Sequence, residues 1–262
     1  MKNSKRTLAV GLVLVVACLV SVAWADDTLT VQNTAAGAIM GGVYTSPYGI
    51  TVNGTPTLLI CDDFETDISL GYSWSANPTT LAQISSTAVS GLKFAGSPAI
   101  LAGTTAAEDY ATAAVLAAEL MTLPNFGTPA ENTETAGELS YAIWSVFDNS
   151  LYNSLNSTGS TGYGSLTPTE VAAVDADVLN AQNLVAGATA GGTTNLNNIS
   201  IDGQSILSLT VYTPSPLSAS QEFLTVNVAE PPSPLLLATD LLALAGLIVL
   251  ARRRLAGSVS ST

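Results

Sequence analysis

The sequence predicts an α+β protein, with a single β-rich ectodomain that contains about three helices and with one C-terminal transmembrane helix. Short alternating apolar segments separated by turn residues occupy the first and last parts of residues 26–228, which is typical of strands. Longer segments with helical spacing fill the middle, and strands on both sides of a helical block favour α+β over an alternating parallel fold. A long apolar run near the C-terminus predicts the membrane segment.

The first 25 residues have the pattern of a secretory signal peptide. Basic residues come first, an apolar stretch covers residues 8–22, and Ala23 and Ala25 occupy the positions of a small-x-small cleavage site. We expect cleavage after Ala25. The alternative is a lipobox that ends at Cys18, which would become the lipidated first residue. The residues after Cys18 are still apolar, and this favours cleavage at Ala25.

The ectodomain begins with predicted strands. Asn53-Gly54 stands between two apolar segments and favours a tight hairpin, because both residues tolerate positive φ. Ser46-Pro47 predicts another turn. Tyr72 and Trp74 are two residues apart, which places both side chains on one face of a strand. The predicted strands cover residues 28–32, 42–44, 50–52 and 57–61, with a further short strand around Tyr72.

Three helices are predicted in the middle of the ectodomain. Residues 106–123 are rich in alanine, the strongest helix former, and residues 136–147 carry an apolar stripe at helical spacing. The third helix starts at Thr167, where Glu170 completes a capping box. It continues to Gly187, which ends it.

Strands return after the helices. A segment rich in Ser, Gly and Asn predicts a loop over residues 149–164. Asp202-Gly203 predicts a hairpin between strands at residues 199–201 and 206–212, and residues 223–228 form the last strand.

The composition excludes several classes of protein. The chain has no histidine, so catalytic triads that use histidine and His-ligated zinc sites are excluded. Nineteen of the twenty acidic residues but only one of the seven basic residues, Lys93, lie between Asp26 and Glu230. The resulting net charge of −18 repels polyphosphates and excludes nucleic-acid binding. Only Cys61 remains after removal of the signal peptide, so no intramolecular disulfide forms.

The densest group of candidate functional residues is the acidic segment at residues 61–67. Two-residue alternation predicts that Asp63, Glu65 and Asp67 face one side, where their oxygen atoms suit calcium. The spacing is not that of an EF-hand. Two alternatives stay open: a solvated acidic turn, and a pair of carboxylates that hydrolyses glycosides. No other residues complete an active site, so we expect no catalytic residues.

Aromatic residues offer a second candidate site. Tyr72 and Trp74, with Tyr152 and Tyr163 in the predicted loop, have the apolar faces and polar tips that stack on sugar rings. Packing inside the domain is the alternative, and the sequence favours it.

The C-terminal apolar run predicts a transmembrane helix over residues 235–251. Seventeen helical residues reach roughly 25 Å, enough to span a bilayer with snorkelling arginines. Arg252, Arg253 and Arg254 follow the run and predict a cytoplasmic end, so that the ectodomain faces outward. Asp240 lies near the interface, where the cost of a charge in the membrane is low.

The order of these features resembles a known sorting signal. Ala229, Glu230 and Pro231, then the apolar helix, then the arginine cluster are similar to the PEP-CTERM signal of Gram-negative bacteria, with Ala229 in place of the usual first proline. The resemblance covers residues 229–256 and implies recognition by exosortase, a membrane protease, with delivery to the cell surface or the polysaccharide matrix. A plain membrane anchor is the alternative. We expect residues 257–262 to be a disordered end.

A weaker resemblance links Cys61 and the segment at residues 140–144 to the thioester domains of Gram-positive adhesins. Those domains join a cysteine to the glutamine of a later Thr-Gln-x-Ala-Ile-Trp motif. Here Leu139 and Ser140 stand in place of Thr-Gln. The thioester cannot form without the glutamine, so the resemblance implies a similar fold only. The Cys-Asp-Asp-Phe and Ala-Ile-Trp stretches of this chain also resemble stretches in the ectodomains of PEP-CTERM surface proteins.

These patterns predict a non-enzymatic exported protein of the cell surface or extracellular matrix. We expect it to pass through the secretion translocon, to be sorted by an exosortase-like protease and to associate with exopolysaccharide in biofilm. A secreted carboxylate-dependent glycoside hydrolase and a calcium-dependent adhesion module are the alternatives. No cofactor other than calcium is expected.

Overall fold

A computed structural model describes residues 26–34, 39–96, 104–148 and 166–229. These residues form a β-barrel packed against three helices, which confirms the predicted α+β class. The helices are α1 (Ala106–Thr122), α2 (Thr133–Phe147) and α3 (Pro168–Ala188), with a short 3-10 helix at Leu196–Asn198. The strands are β1 (Asp27–Thr34), β2 (Ile39–Met40), β3 (Val43–Tyr44), β4 (Tyr48–Val52), β5 (Thr55–Cys61), β6 (Ser73–Leu81), β7 (Gln83–Ser85), β8 (Thr189–Ala190), β9 (Thr193–Asn195), β10 (Ser200–Ile201), β11 (Gln204–Pro214) and β12 (Phe223–Val228).

Six antiparallel strands close the barrel in the order β1, β4, β5, β12, β11, β6 and back to β1. Closure depends on β6 and β11, which pair from Leu81 opposite Leu209 to Ala76 opposite Pro214. The strand β10 pairs with β11 outside the ring. Because every strand of the ring has two neighbours, the ring leaves no long unpaired edge.

The two faces of the barrel strands enter different apolar clusters. One face of the strands points into the barrel and fills it with buried side chains. These side chains come from β1, β4, β5, β6 and β12, and they are Leu29, Val31, Tyr48, Ile50, Leu59, Cys61, Trp74, Ala76 and Phe223. The opposite face of β5, β11 and β12 packs against the helices. Two-residue alternation therefore divides the core into a barrel interior and a helix-facing layer.

Helix α1 is the central element of the helical layer. It contacts α2, α3 and β12, and most of its residues are buried. The small alanine side chains allow the neighbouring elements to approach closely from several directions. Side chains cap two of the helices: Thr105 and Glu108 form a capping box at α1, and Thr167 and Glu170 form the predicted one at α3.

The two predicted hairpin turns are confirmed by the backbone angles. Asn53 and Gly54 have φ values of 51° and 81° between β4 and β5, and Asp202 and Gly203 have φ values of 50° and 81° between β10 and β11. These left-handed conformations suit Asn, Asp and Gly, which explains why both hairpins can be read from sequence.

Other predicted elements differ from the structure or lie outside the described residues. The strand predicted around Tyr72 is β6, which starts at Ser73 and continues through Pro78 to Leu81. Strands β7, β8 and β9 form a small separate sheet that alternation does not predict, because each has only two or three residues. Within the described ranges no helix is long and apolar enough to cross a membrane. The predicted signal peptide, the loop at 149–164 and the transmembrane run at 235–251 lie outside the described residues. Of the predicted tail at 229–256, only Ala229 is described.

Candidate functional site

The acidic segment follows β5 at one end of the barrel. The strand ends at Cys61, so the alternation expected for the next residues does not occur. Asp63 is buried, with 2 % of its surface exposed, whereas Glu65 and Asp67 are exposed. The expectation that these three carboxylates share one face is wrong, because the strand ends before them. No group of three or more metal-binding side chains occurs in the portion of the chain that the structure describes.

The buried carboxylate of Asp63 pairs with Lys93. The Lys93 ammonium donates to Asp63 Oδ2, to Thr66 Oγ1 at 3.2 Å and to the Ser220 carbonyl oxygen at 3.0 Å. All three ammonium hydrogens therefore have acceptors. Lys93 is the one basic residue between Arg6 and Arg252, so the ectodomain uses its only cation at this position.

A second carboxylate, Glu222, lies directly before β12 and is fully buried. Tyr110 Oη donates to Oε1 at 2.5 Å, and Thr213 Oγ1 and the Lys93 backbone N–H donate to Oε2 at 2.6 Å and 3.0 Å. Burial raises the pKa of Glu222, and these donors oppose that rise. Glu222 thus connects β11, β12, α1 and the segment that carries Lys93.

The third carboxyl group, Asp62, is fully buried, and neither of its oxygens has a hydrogen-bond partner within the described residues. Burial raises the pKa of Asp62 well above its usual range, and the neighbouring charges of Glu222 and Asp63 raise it further. Burial therefore favours the protonated form of Asp62, because an ionised carboxylate is costly in the interior.

Cys61 is a free thiol, as the sequence predicts, and the fold buries it. Its Sγ donates to the Asp63 carbonyl oxygen at 3.1 Å. Burial raises the pKa of the thiol, and the charges of Asp63 and Asp62 add to the rise. A thiol in this state is a weak nucleophile, because the thiolate is the reactive form.

The structure brings Cys61 together with the α2 segment that the sequence singled out. Trp144 Nε1 donates to the Cys61 carbonyl oxygen at 2.9 Å. The backbone N–H of Cys61 donates to Ser46 Oγ, and that of Ser46 donates to Ser140 Oγ, both at 3.1 Å. Ser140 occupies the position of the glutamine in the thioester motif, so a hydrogen-bonded bridge through Ser46 connects the two motif positions.

A cleft of about 480 Å³ opens beside this network, and we call it the barrel-end cleft. It lies where β1 and β5 end and β4 begins, and α2 closes one side. Both aromatic and polar side chains line it, including Asn33, Tyr44, Asp63, Phe64, Asp67, Trp144 and Gln221.

The apolar part of the barrel-end cleft is aromatic. The ring centroids of Phe64 and Trp144 are 5.0 Å apart, and Trp144 is buried. Tyr44 stands at the rim with 54 % of its surface exposed. A buried aromatic floor with an exposed aromatic rim can hold a flat, partly apolar ligand.

Gln221 lines the barrel-end cleft and carries an unpaired hydrogen-bond acceptor. Its Nε2 donates to the Asp63 carbonyl oxygen at 3.0 Å, and this contact determines the orientation of the amide, because a carbonyl oxygen can only accept. Oε1 has no partner within the described residues, although only 8 % of the residue is exposed. A ligand that donates a hydrogen bond would satisfy this oxygen.

The remaining predicted site residues lie apart from the barrel-end cleft or outside the described residues. Tyr72 and Trp74 stack on each other at 5.8 Å, and Tyr72 Oη donates to the Ala219 carbonyl oxygen, which is a packing role. Tyr152, Tyr163, Cys18, Ala23, Ala25, Glu230, Pro231, Arg252, Arg253 and Arg254 lie outside the described residues.

Sequence reasoning did not identify Gln221, Glu222 or Tyr44 as site residues. Gln221 is 158 positions from Asp63, and Glu222 is 112 positions from Tyr110. Lys93 carried one usable signal, because it is the only cation among nineteen acidic residues.

No protein-family model, curated protein or solved structure matches the chain. The residues and geometry of the chain itself therefore support the functional inference.

Proposed function

We propose that this protein is a non-enzymatic, exported protein of the cell surface or extracellular matrix, and that it binds exopolysaccharide in the barrel-end cleft. The observation that carries the proposal is the buried, unpaired Oε1 of Gln221 in a cleft with an aromatic floor and rim. Sugar rings present apolar C–H faces to aromatic side chains and hydroxyl donors to such acceptors.

The charge of the ectodomain narrows the class of polysaccharide. Nineteen acidic residues and one lysine lie between Asp26 and Glu230, and the lysine is paired with Asp63. Uronic-acid polymers are repelled by this surface. Neutral polymers are tolerated, and amine-bearing polymers are attracted, with Asp67 at the cleft offering an exposed carboxylate. We therefore infer a neutral or amine-bearing polysaccharide.

The carboxylates at the barrel-end cleft support binding over hydrolysis. A glycosidase needs one carboxyl group to donate a proton and another to attack or to activate water. The carboxylate of Asp63 is instead paired with Lys93. Because Asp63 is paired, Asp67 is the one free carboxylate among the described residues that line the cleft, and hydrolysis needs two.

Export and sorting are proposed from the two chain ends. The signal peptide over residues 1–25 directs the chain to the translocon. The tail over residues 229–256, with its transmembrane helix and arginine cluster, resembles an exosortase substrate and holds the protein in the inner membrane before processing.

A binding assay on immobilised polysaccharides tests the function. We expect the purified protein to bind chitosan or a neutral glucan more strongly than alginate. Tyr44→Ala and Asp67→Asn should each weaken binding several-fold, because the first removes the aromatic rim and the second a charged acceptor. Leu179→Ala is the control, since Leu179 is equally exposed but lies on α3.

Two results would contradict the proposal. Binding to none of the polymers, or equal binding by the Tyr44 variant and the wild type, would remove the barrel-end cleft as the site. Release of reducing sugar from any polymer would instead favour the hydrolase.

The intact mass of the protein recovered from its host tests sorting. A chain that begins at Asp26 and ends near Pro231 in the surface fraction supports tail removal. A chain that retains Arg252–Arg254 in the membrane fraction means a plain anchor, and a lipidated Cys18 means that the N-terminus is a lipoprotein signal.

A further inference from the structure

The contact between Lys93 and Asp63 has an unusual setting for an ion pair. The Lys93 side chain is 16 % exposed and the Asp63 side chain 2 %, so the pair is largely shielded from water. Hydrogen bonds also fix the backbone of both residues. The Asp63 carbonyl oxygen accepts from Gln221 and Cys61, and the Lys93 backbone N–H donates to Glu222. An amine and a carboxyl group are thus kept in contact by the surrounding chain.

The pair lies in a largely dry part of the domain. Asp62 and Glu222, which flank the two chain segments that meet here, are fully buried, and Phe94 places an aromatic ring 5.9 Å from the Lys93 Nζ. Transfer of one proton from Lys93 to Asp63 within this contact gives a neutral amine beside a carboxylic acid, which are the two forms that condense.

We propose that Lys93 and Asp63 are joined by an intramolecular isopeptide bond that forms after folding. The Lys93 Nζ, as the neutral amine, attacks Cγ of the protonated Asp63 carboxyl group. The new N–C bond forms and the C–OH bond breaks. The nitrogen loses one proton and the hydroxyl group gains one, so that the products are a secondary amide and one water molecule. No oxidant, reductant or cofactor takes part.

Asp62 is the group that moves the proton. Its carboxyl group is fully buried and interacts with the carboxyl groups of Glu222 and Asp63, so that in its protonated form it can give one proton to the leaving hydroxyl group and take another from Nζ. Glu222 is already held by three donors and positions the Lys93 backbone. Contact and exclusion of water supply the rate, as in other intramolecular reactions with high effective molarity.

The bond would link the segment after β5 to the segment between β7 and α1. It would close a loop across 30 positions in a domain whose Cys61 is a free thiol. Cross-links of this kind stabilise a fold mainly by restricting its unfolded chain. An exported protein would gain resistance to heat and proteolysis without a disulfide.

Mass spectrometry and trypsin test the bond on the full chain. Lys93 is the only residue between Arg6 and Arg252 after which trypsin cuts, and an acylated lysine is not cut. We expect the chain to weigh one water molecule less than its sequence. After denaturation, trypsin should leave the segment between Arg6 and Arg252 uncut. A chain of full sequence mass that trypsin cuts after Lys93 overturns the proposal.

Two variants complete the test. Lys93→Arg keeps the positive charge but replaces the amine with a guanidinium, which stays protonated and does not attack. We expect this variant to have its full sequence mass and, once denatured, to be cut after position 93. Asp62→Asn should slow the loss of water at least tenfold in freshly refolded protein. An Asp62→Asn chain that cross-links as fast as the wild type overturns the role of Asp62.

Discussion

Two groups of carboxyl groups in this domain are stabilised in different ways. At the barrel end, Asp63 and Glu222 are buried but have donors from Lys93, Tyr110 and Thr213. On the helical side, a second group has no cation near it among the residues that the structure describes. Its members are half-buried or exposed carboxylates on α1, α2, α3 and the turn before β11, namely Glu119, Glu138, Asp177 and Asp202.

The difference follows from the supply of cations. The ectodomain has one lysine, and that lysine is at the barrel end. The helical group must reduce its repulsion by binding protons instead. Partial burial, with the charges of Asp177 and Asp202, raises the pKa of Glu119 to about 7. The barrel-end group therefore depends on specific hydrogen bonds, and the helical group depends on pH.

The largest expected effect comes from Glu222→Ala. This change removes the acceptor of three hydrogen bonds and leaves Tyr110 Oη, Thr213 Oγ1 and the Lys93 N–H without it in the interior. We expect the free energy of unfolding to fall by about 3–5 kcal/mol. Chemical denaturation measures this loss. The control is Glu65→Ala in the exposed acidic segment, which should change stability by less than about 0.5 kcal/mol. Equal effects of the two changes would contradict the comparison.

A moderate effect is expected from pH. A carboxyl group whose pKa is higher in the folded than in the unfolded chain contributes stability at low pH, and this contribution is lost as the pH rises through the folded value. For Glu119 the loss extends from about pH 4.5 to about pH 7, and Asp109, with a pKa of about 6, acts in the same direction. We expect the melting temperature to rise by about 2–4 °C between pH 8 and pH 5. A melting temperature that falls over this range would show that the helical group is not protonated.

A smaller effect is expected from Glu119→Gln. The neutral amide removes repulsion from Asp177 and Asp202, so the variant should be more stable than the wild type at pH 8, by about 1 kcal/mol or less after solvent screening. At pH 5 the two should be nearly equal. Denaturation at both pH values measures the difference, with Glu65→Gln as the matched exposed control. A gain that is the same at both pH values would assign the effect to something other than charge.

The smallest effect is expected from removal of calcium. Asp63 and Asp67 both line the barrel-end cleft, but Asp63 is paired with Lys93 and Glu65 is not part of the lining. We expect a chelator to leave the melting temperature and polysaccharide binding unchanged. A calcium-dependent rise in the melting temperature would support the adhesion module. It would also mean that residues in addition to Asp63, Glu65 and Asp67 bind the ion.

Much of the secondary structure was predictable because its signals are local. The strand β12 covers the predicted residues 223–228, and the capping box at Thr167 begins α3 as expected. The strand β6 was predicted only around its start. It contains Pro78, and a proline usually indicates a strand at the edge of a sheet. In the barrel, however, β6 pairs on both sides, with β1 and with β11, and both of these strands come from distant parts of the sequence.

The candidate site was predictable only in part. Asp63 stood out because it lies in a dense acidic segment, but its burial and its pairing with Lys93 depend on where β5 ends and where the chain returns 30 positions later. Gln221 carries no local signal. Its importance arises because folding buries one end of its amide against Asp63 and leaves the other end unpaired in the barrel-end cleft.

The sequence by itself determined the α+β class, the two hairpin turns, the helix cap at Thr167, the free cysteine and the scarcity of cations, because these follow from local conformational preference and from counting. Tertiary structure alone decided the closure of the barrel, the single position of the lysine among many carboxylates and the formation of the barrel-end cleft. Each of these depends on contacts between distant segments, whose energies local patterns do not contain.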